Sequence, residues 1–384
     1  MATVQRNEIV EGYTLTLFLA LVLGFALAYT NGSNDVSKGI ATLVGSGVTS
    51  YRRAILWGTL WTGTGGIAAA FLSHAMIQTF GSSLLAPGIH PSFAAAFATI
   101  AGATLWVAVA TIRRLPVSTT HAIVGAVGGV ALLAYGTGGV NWSALVSKIA
   151  LPLLLSPVAA LALTAVLLRI SRRSTPDMAN DCVCAEITHP VAALSSVAAM
   201  ASANVVAPQL NITTCKSDEG RSPRITLNHL HWLSSGATSF ARGLNDTPKM
   251  AAILISAALL SGSVSLRPGA YFATIVLGIV IGSWISGRRV TEMLASDVIS
   301  MDHREGFIAN LVTATLVGFG AILGWPMSTT QVASGAIMGT ASTGKKQMNW
   351  RSVRAMLLAW IVTLPGAALL GIASYVLLRA AGIR

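Results

Sequence analysis

Apolar residues run along this chain in stretches of about twenty, the length that crosses a hydrocarbon core as a helix. Residues 149–168 ("IALPLLLSPVAALALTAVLL"), 270–287 and 355–378 are the cleanest of these runs. Ten segments can be traced: 14–51, 54–72, 93–112, 115–135, 149–169, then 226–263, 270–287, 307–323, 325–343 and 355–378. Ten-residue stretches of alternating polar and apolar positions are absent, which excludes an outer-membrane barrel. The pattern predicts an all-α polytopic membrane protein with about 10–12 transmembrane segments. Segments 14–51 and 226–263 exceed one crossing, so each is expected to hold a span plus a broken or re-entrant helix. Such backbone is tolerated at depth only where protein buries it or a cavity is lined by it. In the first of them, "NGSNDVSKG" (31–39) follows directly on "TLTLFLALVLGFALAY" (14–29).

The chain repeats itself. "SNDVSK" (33–38) returns as "LNDTPK" (244–249), and "LPVSTTHAIVGA" (115–126) as "WPMSTTQVASGA" (325–336). "NW" (141–142) and "VLLR" (166–169) recur at 349–350 and 376–379, all at an offset of 208 to 211 residues. Landmarks held at nearly one offset define two homologous halves. They divide the chain into a first transmembrane repeat at 13–170, a linker at 171–224 and a second transmembrane repeat at 225–380. The linker is expected to be a cytoplasmic loop with one helical piece, since about 55 residues rarely build a core of their own. Residues 290–305 read as an amphipathic helix at the same face.

Charge then sets the orientation. Hydrophobic residues make up 53% of the chain and charged ones only 10%, against about 25% charged in a soluble domain; mean hydropathy is +0.69. The net charge of +12 comes from short basic pairs between spans, such as Arg52-Arg53, Arg172-Arg173 and Arg288-Arg289. That is the positive-inside pattern. No basic stripe interleaved with aromatics points to nucleic acid. Arg113-Arg114 precede the first Ser-Thr-Thr segment, whereas Lys345, Lys346, Arg351 and Arg354 follow the second. The basic end has swapped, so the two halves are expected to cross the membrane in opposite directions. An inverted-topology repeat of this kind is characteristic of secondary transporters. Each half makes an odd number of net crossings, placing both termini outside a cytoplasmic (inner) membrane. The N-terminus "MATVQRNEIVEGY" shows no basic region followed by a cleavage site, so no signal peptide is expected.

The polar residues inside the spans carry the chemistry. An aspartate at the bilayer centre costs roughly 2.5–3.5 kcal/mol and commonly marks an ion or proton pathway. Here the cost is met twice, at Asn34/Asp35 and at Asn245/Asp246. Carboxylate, amide and freed backbone oxygens suit a small hard cation such as Na⁺, or a protonatable relay. Lys38 and Lys249 each stand three residues after their aspartate, on the same helix face. Each either neutralises that aspartate, faces an anionic substrate, or occupies a cation's place. Ser118, Thr119 and Thr120, with their copies Ser328, Thr329 and Thr330, follow a proline and cap a helix start. A helix N-terminus offers free N–H donors and partial positive charge, a ready anion site. Two such turns in an inverted repeat converge near the midplane.

With these motifs in place, the chain resembles the inorganic phosphate transporter (PiT) family. The resemblance rests on "GSNDVSKGIATLVGSG" (32–47), "GLNDTPKMAA" (243–252), "PVSTTHAIVG" (116–125) and "PMSTTQVASG" (326–335), and covers both halves but not the linker. It implies cation-coupled phosphate uptake through an inverted-repeat fold. Asp35 and Asp246 match the family's essential aspartates, and Ser118–Thr120 and Ser328–Thr330 its phosphate-binding turns. The family signature has Asn where Lys38 and Lys249 stand, and a His after both turns where Gln331 follows the second. A lysine beside a cation site can replace Na⁺ electrostatically, so the choice between Na⁺ and H⁺ stays open.

The expectation is therefore a secondary active transporter taking up inorganic phosphate with Na⁺ or H⁺ by alternating access. It is not an enzyme, needs no cofactor and no metal, and has the lipid bilayer as its surroundings; a homodimer is left open. A sulfate permease of the same fold is the alternative, since tetrahedral oxyanions differ more in protonation than in shape. From a different class come a passive anion channel and a membrane sensor. His121, after the first turn, is a candidate substrate contact or proton relay. Cys182, Cys184 and Cys215 fit no strong zinc spacing.

Overall fold

The computed structural model describes residues 2–81, 83–174, 181–186, 209–214, 224–260, 266–296, 298, 300–341 and 348–383. The first half contains α1 (Ala2–Asp35), α2 (Ser37–Gly45), α3 (Tyr51–Leu72), α4 (His74–Gly81), α5 (Phe93–Ile112) and α6 (Thr119–Tyr135). It closes with α7 (Trp142–Ala144) and α8 (Leu151–Ser174), joined by one wide turn at Leu145–Ala150. The second half contains α9 (Leu227–Leu260), α10 (Pro268–Ser286), α11 (Arg288–Ser296), α12 (His303–Leu323), α13 (Thr329–Thr340) and α14 (Trp350–Ala380). The order of elements recurs, with α9 in the place of α1 and α2, α10 of α3, α12 of α5, α13 of α6 and α14 of α8.

Seven helical stretches among the described residues are long and apolar enough to cross a membrane. Large apolar side chains such as Phe71 (81% exposed), Leu154 (72%) and Ile361 (70%) cover their outer faces. An exposed apolar belt of that extent has no place in water, and the chain is a multi-pass membrane protein. The long α9 falls outside those seven because Arg242, Asp246 and Lys249 lower its hydropathy. Helices α6 and α13, with 17 and 12 residues, reach only about 26 and 18 Å at 1.5 Å per residue. They are the second arms of two helical hairpins, α5–α6 and α12–α13. The base of the first hairpin is tied by a bridge between Leu85 and Val140 and by Asn141 N–H donating to the Leu84 carbonyl at 3.0 Å.

The two hairpin tips are built alike. Helix α5 ends on Arg114 in the left-handed region (φ 60°) and α12 on Gly324 (φ 73°). Leu115 N–H then donates to the Ala110 carbonyl at 2.9 Å, and Trp325 N–H to the Gly320 carbonyl at 2.8 Å. These bonds close the helix ends in the same way. Pro116 and Pro326 bar any continuation, and Ser118 and Ser328 cap the next helices by accepting from the N–H of His121 and Gln331.

The long first segments behave differently from each other. In the first half the helix is interrupted at Val36, between α1 and α2. In the second, α9 runs unbroken for 34 residues through Pro248. The halves interlock by exchange: α1 lies along α10 and α9 along α3, while α6 packs on α14 and α13 on α8. Glycine permits the closest of these contacts. A Cβ on Gly32 would collide with the Ile279 carbonyl oxygen of α10, and one on its repeat counterpart Gly243 with the Thr62 carbonyl oxygen of α3. Small residues at such crossings let helix backbones touch.

Two expectations change. The described parts of the linker are strands, β1 (Asp181–Glu186), β2 (Gln209–Thr214) and β3 (Arg224–Thr226), in an antiparallel sheet of order β2-β1-β3. Leu210 and Ile212 alternate with polar neighbours and pair with Ala185 and Val183, a two-residue period that the loop expectation overlooked. The expected helical piece at 189–208, and Cys215, lie outside the described residues. The amphipathic helix expected over 290–305 stops at Ser296, and α12 restarts at His303 behind a capping box of Asp302 and Glu305. Arg172 at the end of α8 pairs with Glu305 at 2.7 Å.

Gly32→Leu or Gly243→Leu should each lower stability in detergent by about 1–3 kcal/mol or more, through overpacking. Gly128→Ala, where a Cβ meets nothing within 4 Å, should leave it unchanged or raise it. Thermal unfolding of the purified variants checks the contrast.

Candidate functional site

The two Asn-Asp motifs hold the two hairpin tips. Asn34 donates from Nδ2 to the Leu115 carbonyl and to Thr111 Oγ1, each at 3.0 Å, and its Oδ1 accepts from Val117 N–H at 3.2 Å. Asn245 donates from Nδ2 to the Met327 carbonyl at 2.9 Å, to Thr329 Oγ1 at 3.4 Å and to Asp246 Oδ1 at 2.9 Å. Hairpin tips carry backbone groups without helical partners, and a buried group left unmet costs about 1–3 kcal/mol. The asparagine amides meet part of that need in both halves.

The aspartates face inward between the tips. Asp35 Oδ2 accepts from Thr119 Oγ1 at 3.3 Å and from Asn31 Nδ2 at 2.8 Å. The same Asn31 amide donates to Asp246 Oδ2 at 3.2 Å and to Thr119 Oγ1 at 3.1 Å. One side chain thus joins the carboxylates of both halves. Lys38 reaches Asp35 Oδ1 at 2.6 Å. Lys249 lies 3.3 Å from Asp246 Oδ1 and crosses to the other half, donating to Thr120 Oγ1 at 2.8 Å. Thr330 crosses the same way, donating to the Val117 carbonyl at 2.6 Å.

All the residues expected at a site are therefore brought together and buried. Their roles divide. Asn34 and Asn245 tether the tips, and Asp35 and Asp246 supply the charge. Ser118 and Ser328 accept helix N–H bonds as caps, while Thr119, Thr120, Thr329 and Thr330 line the junction of the halves. Two members escaped the sequence reading. Asn31 and Arg242 occupy the same place in the repeat, four residues before each aspartate and so on its helix face. The signal was the polar character of both positions within an apolar helix. Arg242 is 1% exposed; its guanidinium lies 3.5 Å from Thr62 Oγ1 and 3.3 Å from Ser283 Oγ, and its Nε meets no partner among the described residues.

Two cavities approach the tips. One of about 450 Å³ lies between α1, α5 and α10, with Ser33 and Thr111 at its inner end and Arg288 and Arg289 among its walls. Another of about 390 Å³ is lined by Gln78 and Thr79 of α4, by Gly324 and Trp325 of the second tip, and by Lys148. Each carries basic side chains, a field that draws anions. His121 and Gln331, equivalent in the repeat, both face a third cavity beside Trp360. The assembly offers buried hydroxyls at two helix N-termini, two carboxylates and three fixed cations. It can hold a small anion out of water and couple it to charge.

The chain is similar to known proteins over most of its length. The model of the phosphate transporter family matches residues 31–371. The chain is 27% identical to the Arabidopsis thaliana protein named "Inorganic phosphate transporter 2-1, chloroplastic", over 93% of this chain and 71% of that one. It is 26% identical to the Mycobacterium tuberculosis protein named "Probable low-affinity inorganic phosphate transporter", over 96% and 79%. A solved structure described as "The sodium-dependent phosphate transporter" shares the fold with a TM-score of 0.76, at 21% identity, covering 95% of this chain and 99% of that one. With its tips, carboxylates and hydroxyls inside the matched region, this chain belongs to the phosphate transporter family, a family of transporters and not of enzymes.

Proposed function

We propose that the chain is a secondary active transporter that takes up inorganic phosphate, coupled to Na⁺ or H⁺, by alternating access. One observation carries the reading: the Ser-Thr-Thr turns of both halves meet at two buried carboxylates, bonded across the repeat by Lys249 to Thr120 and by Thr330 to Val117. Phosphate sits at the N-termini of α6 and α13, held by Ser118, Thr119, Thr120, Ser328, Thr329 and Thr330. Positive charge at Asn34/Asp35 and Asn245/Asp246 offsets the anion, so substrate and cation move together. The cavity with Arg288 and Arg289 and the cavity with Lys148 reach different tips, which suits a site opened to one face at a time.

The halves lie in opposite orientations in a cytoplasmic membrane, with both termini outside. The swapped basic ends support this, as does the reciprocal packing of α1 on α10 and α9 on α3. Matched helices from inverted halves place equivalent groups on both sides of one midplane site.

Four outcomes are expected. Asp35→Asn or Asp246→Asn abolishes uptake of labelled phosphate into proteoliposomes while the protein still inserts; uptake near wild type in either removes the coupling role. Thr119→Val or Thr329→Val weakens apparent phosphate affinity by about ten- to a hundredfold, the worth of a hydrogen bond to a charged group. Excess sulfate leaves uptake intact, and full competition by sulfate would favour the sulfate alternative. On a background with Cys182, Cys184 and Cys215 replaced by serine, Ser143→Cys reacts with an impermeant maleimide from outside. Ser352→Cys, one residue past the counterpart position Arg351, reacts only after permeabilisation; labelling of both from one face refutes the inversion.

A further inference from the structure

The two lysines do not do the same thing. Lys38 Nζ is bound by three oxygens of its own motif: the Asn34 carbonyl at 2.8 Å, Asn34 Oδ1 at 2.7 Å and Asp35 Oδ1 at 2.6 Å. An ammonium has three donors, so this one is saturated. Backbone carbonyl, amide and carboxylate oxygens gathered round one point form the hard-oxygen set that a small cation takes. Lys249 is drawn elsewhere. Its donors go to Thr120 Oγ1 of the other half at 2.8 Å, to the Met327 carbonyl at 3.1 Å and to Asp246 Oδ1 at 3.3 Å. Asn245 Oδ1, the counterpart of the oxygen that Lys38 uses, has no partner among the described residues.

We infer that Lys38 is a tethered cation permanently filling the first Asn-Asp site, so that an external coupling ion has a place only at the second, beside Asn245 Oδ1 and Asp246. The inference rests on the transport reading above and deepens it by fixing the ion count. Charge points the same way. Asp35 and Asp246 stand against Lys38, Arg242 and Lys249, every one of them at most 3% exposed. The buried cluster holds one positive charge in excess before any ion binds. With a phosphate dianion bound, two further cations would leave an excess of one, in a place where unpaired charge is costly. One phosphate with at most one added cation keeps it near balance.

The test counts sodium ions. The purified full-length protein is equilibrated with ²²Na⁺ in nanodiscs, with phosphate present, and Lys38→Asn is compared with wild type. Wild type should bind no more than one Na⁺ per chain, and Lys38→Asn one more than wild type. In proteoliposomes phosphate uptake by Lys38→Asn should require one Na⁺ more than uptake by wild type does. Two or more Na⁺ bound by wild type overturn the inference, as does a variant that binds the same number as wild type. Should Lys38→Asn fail to insert, the wild-type count alone decides. Absence of any phosphate uptake by wild type, under either a Na⁺ or a pH gradient, refutes the transport reading instead, and the ion count still tells whether Lys38 holds the first site.

Discussion

Charge held away from water is the constraint on which this structure turns. Two carboxylates, two ammonium groups and a guanidinium lie buried among helices whose outer faces meet lipid. Taking an ion from water costs several kcal/mol even after relaxation, and only close partners with good geometry repay it. Asp35 accordingly meets Lys38, Asn31 and Thr119, and the Asn31 amide carries the connection on to Asp246. Those bonds need the helices that bear the motifs to approach closely. Gly32 and Gly243, equivalent in the repeat, let α1 meet α10 and α9 meet α3 backbone to backbone. The polar centre and the glycine crossings are therefore two aspects of one requirement.

The hairpins pack through glycine as the frame does, Gly125 of α6 against the Leu364 carbonyl of α14 and Gly335 of α13 against the Pro157 carbonyl of α8, and their tips are held by hydrogen bonds as well. The tips at Leu115–Ser118 and Trp325–Ser328 hang on the amides of Asn34 and Asn245, on the cross-half bond of Lys249, and on that of Thr330. Replaceable hydrogen bonds of this kind open at lower free energy than a packed core. On the proposed mechanism this difference assigns the parts: α1, α3, α9 and α10 stay, and one hairpin at a time yields. An anion bound at a tip replaces some of those hydrogen bonds, and so biases which tip opens.

Much of this was legible in the sequence because membranes make polar residues conspicuous. Asp35 and Asp246 stood out against apolar runs, and duplication separated them from accident. The proline before each Ser-Thr-Thr segment marked a helix start that the structure places at Ser118 and Ser328. The hairpins were harder to see, because α5 has the length and hydropathy of an ordinary span; only the shortness of α6 and α13 distinguishes an arm from a crossing. Asn31 and Arg242 are less conspicuous because they differ, and only identical residues at the repeat offset mark themselves as a duplicated pair. The linker strands were missed for a plainer reason: their two-residue period is short and lies beside polar, turn-forming residues.

Differences between the halves matter as much as their likeness. A perfectly duplicated site would bind a tetrahedral anion equally in two orientations and place equal charge on each side of it. Here the scaffold is symmetric, with tips, caps and crossings in register, while the chemistry on it is not. Asn31 faces Arg242 in role, His121 faces Gln331, and Lys38 stays within its own half whereas Lys249 leaves for the other. Each pair puts an amide where the other half has an ionisable group, or a local bond where the other half has a bridging one. The duplicated frame brings two equivalent tips together, and the unequal residues give their junction one polarity. A transporter needs both: equivalence, so that inward and outward states lie close in energy, and inequality, so that substrate and ion are each held in one place.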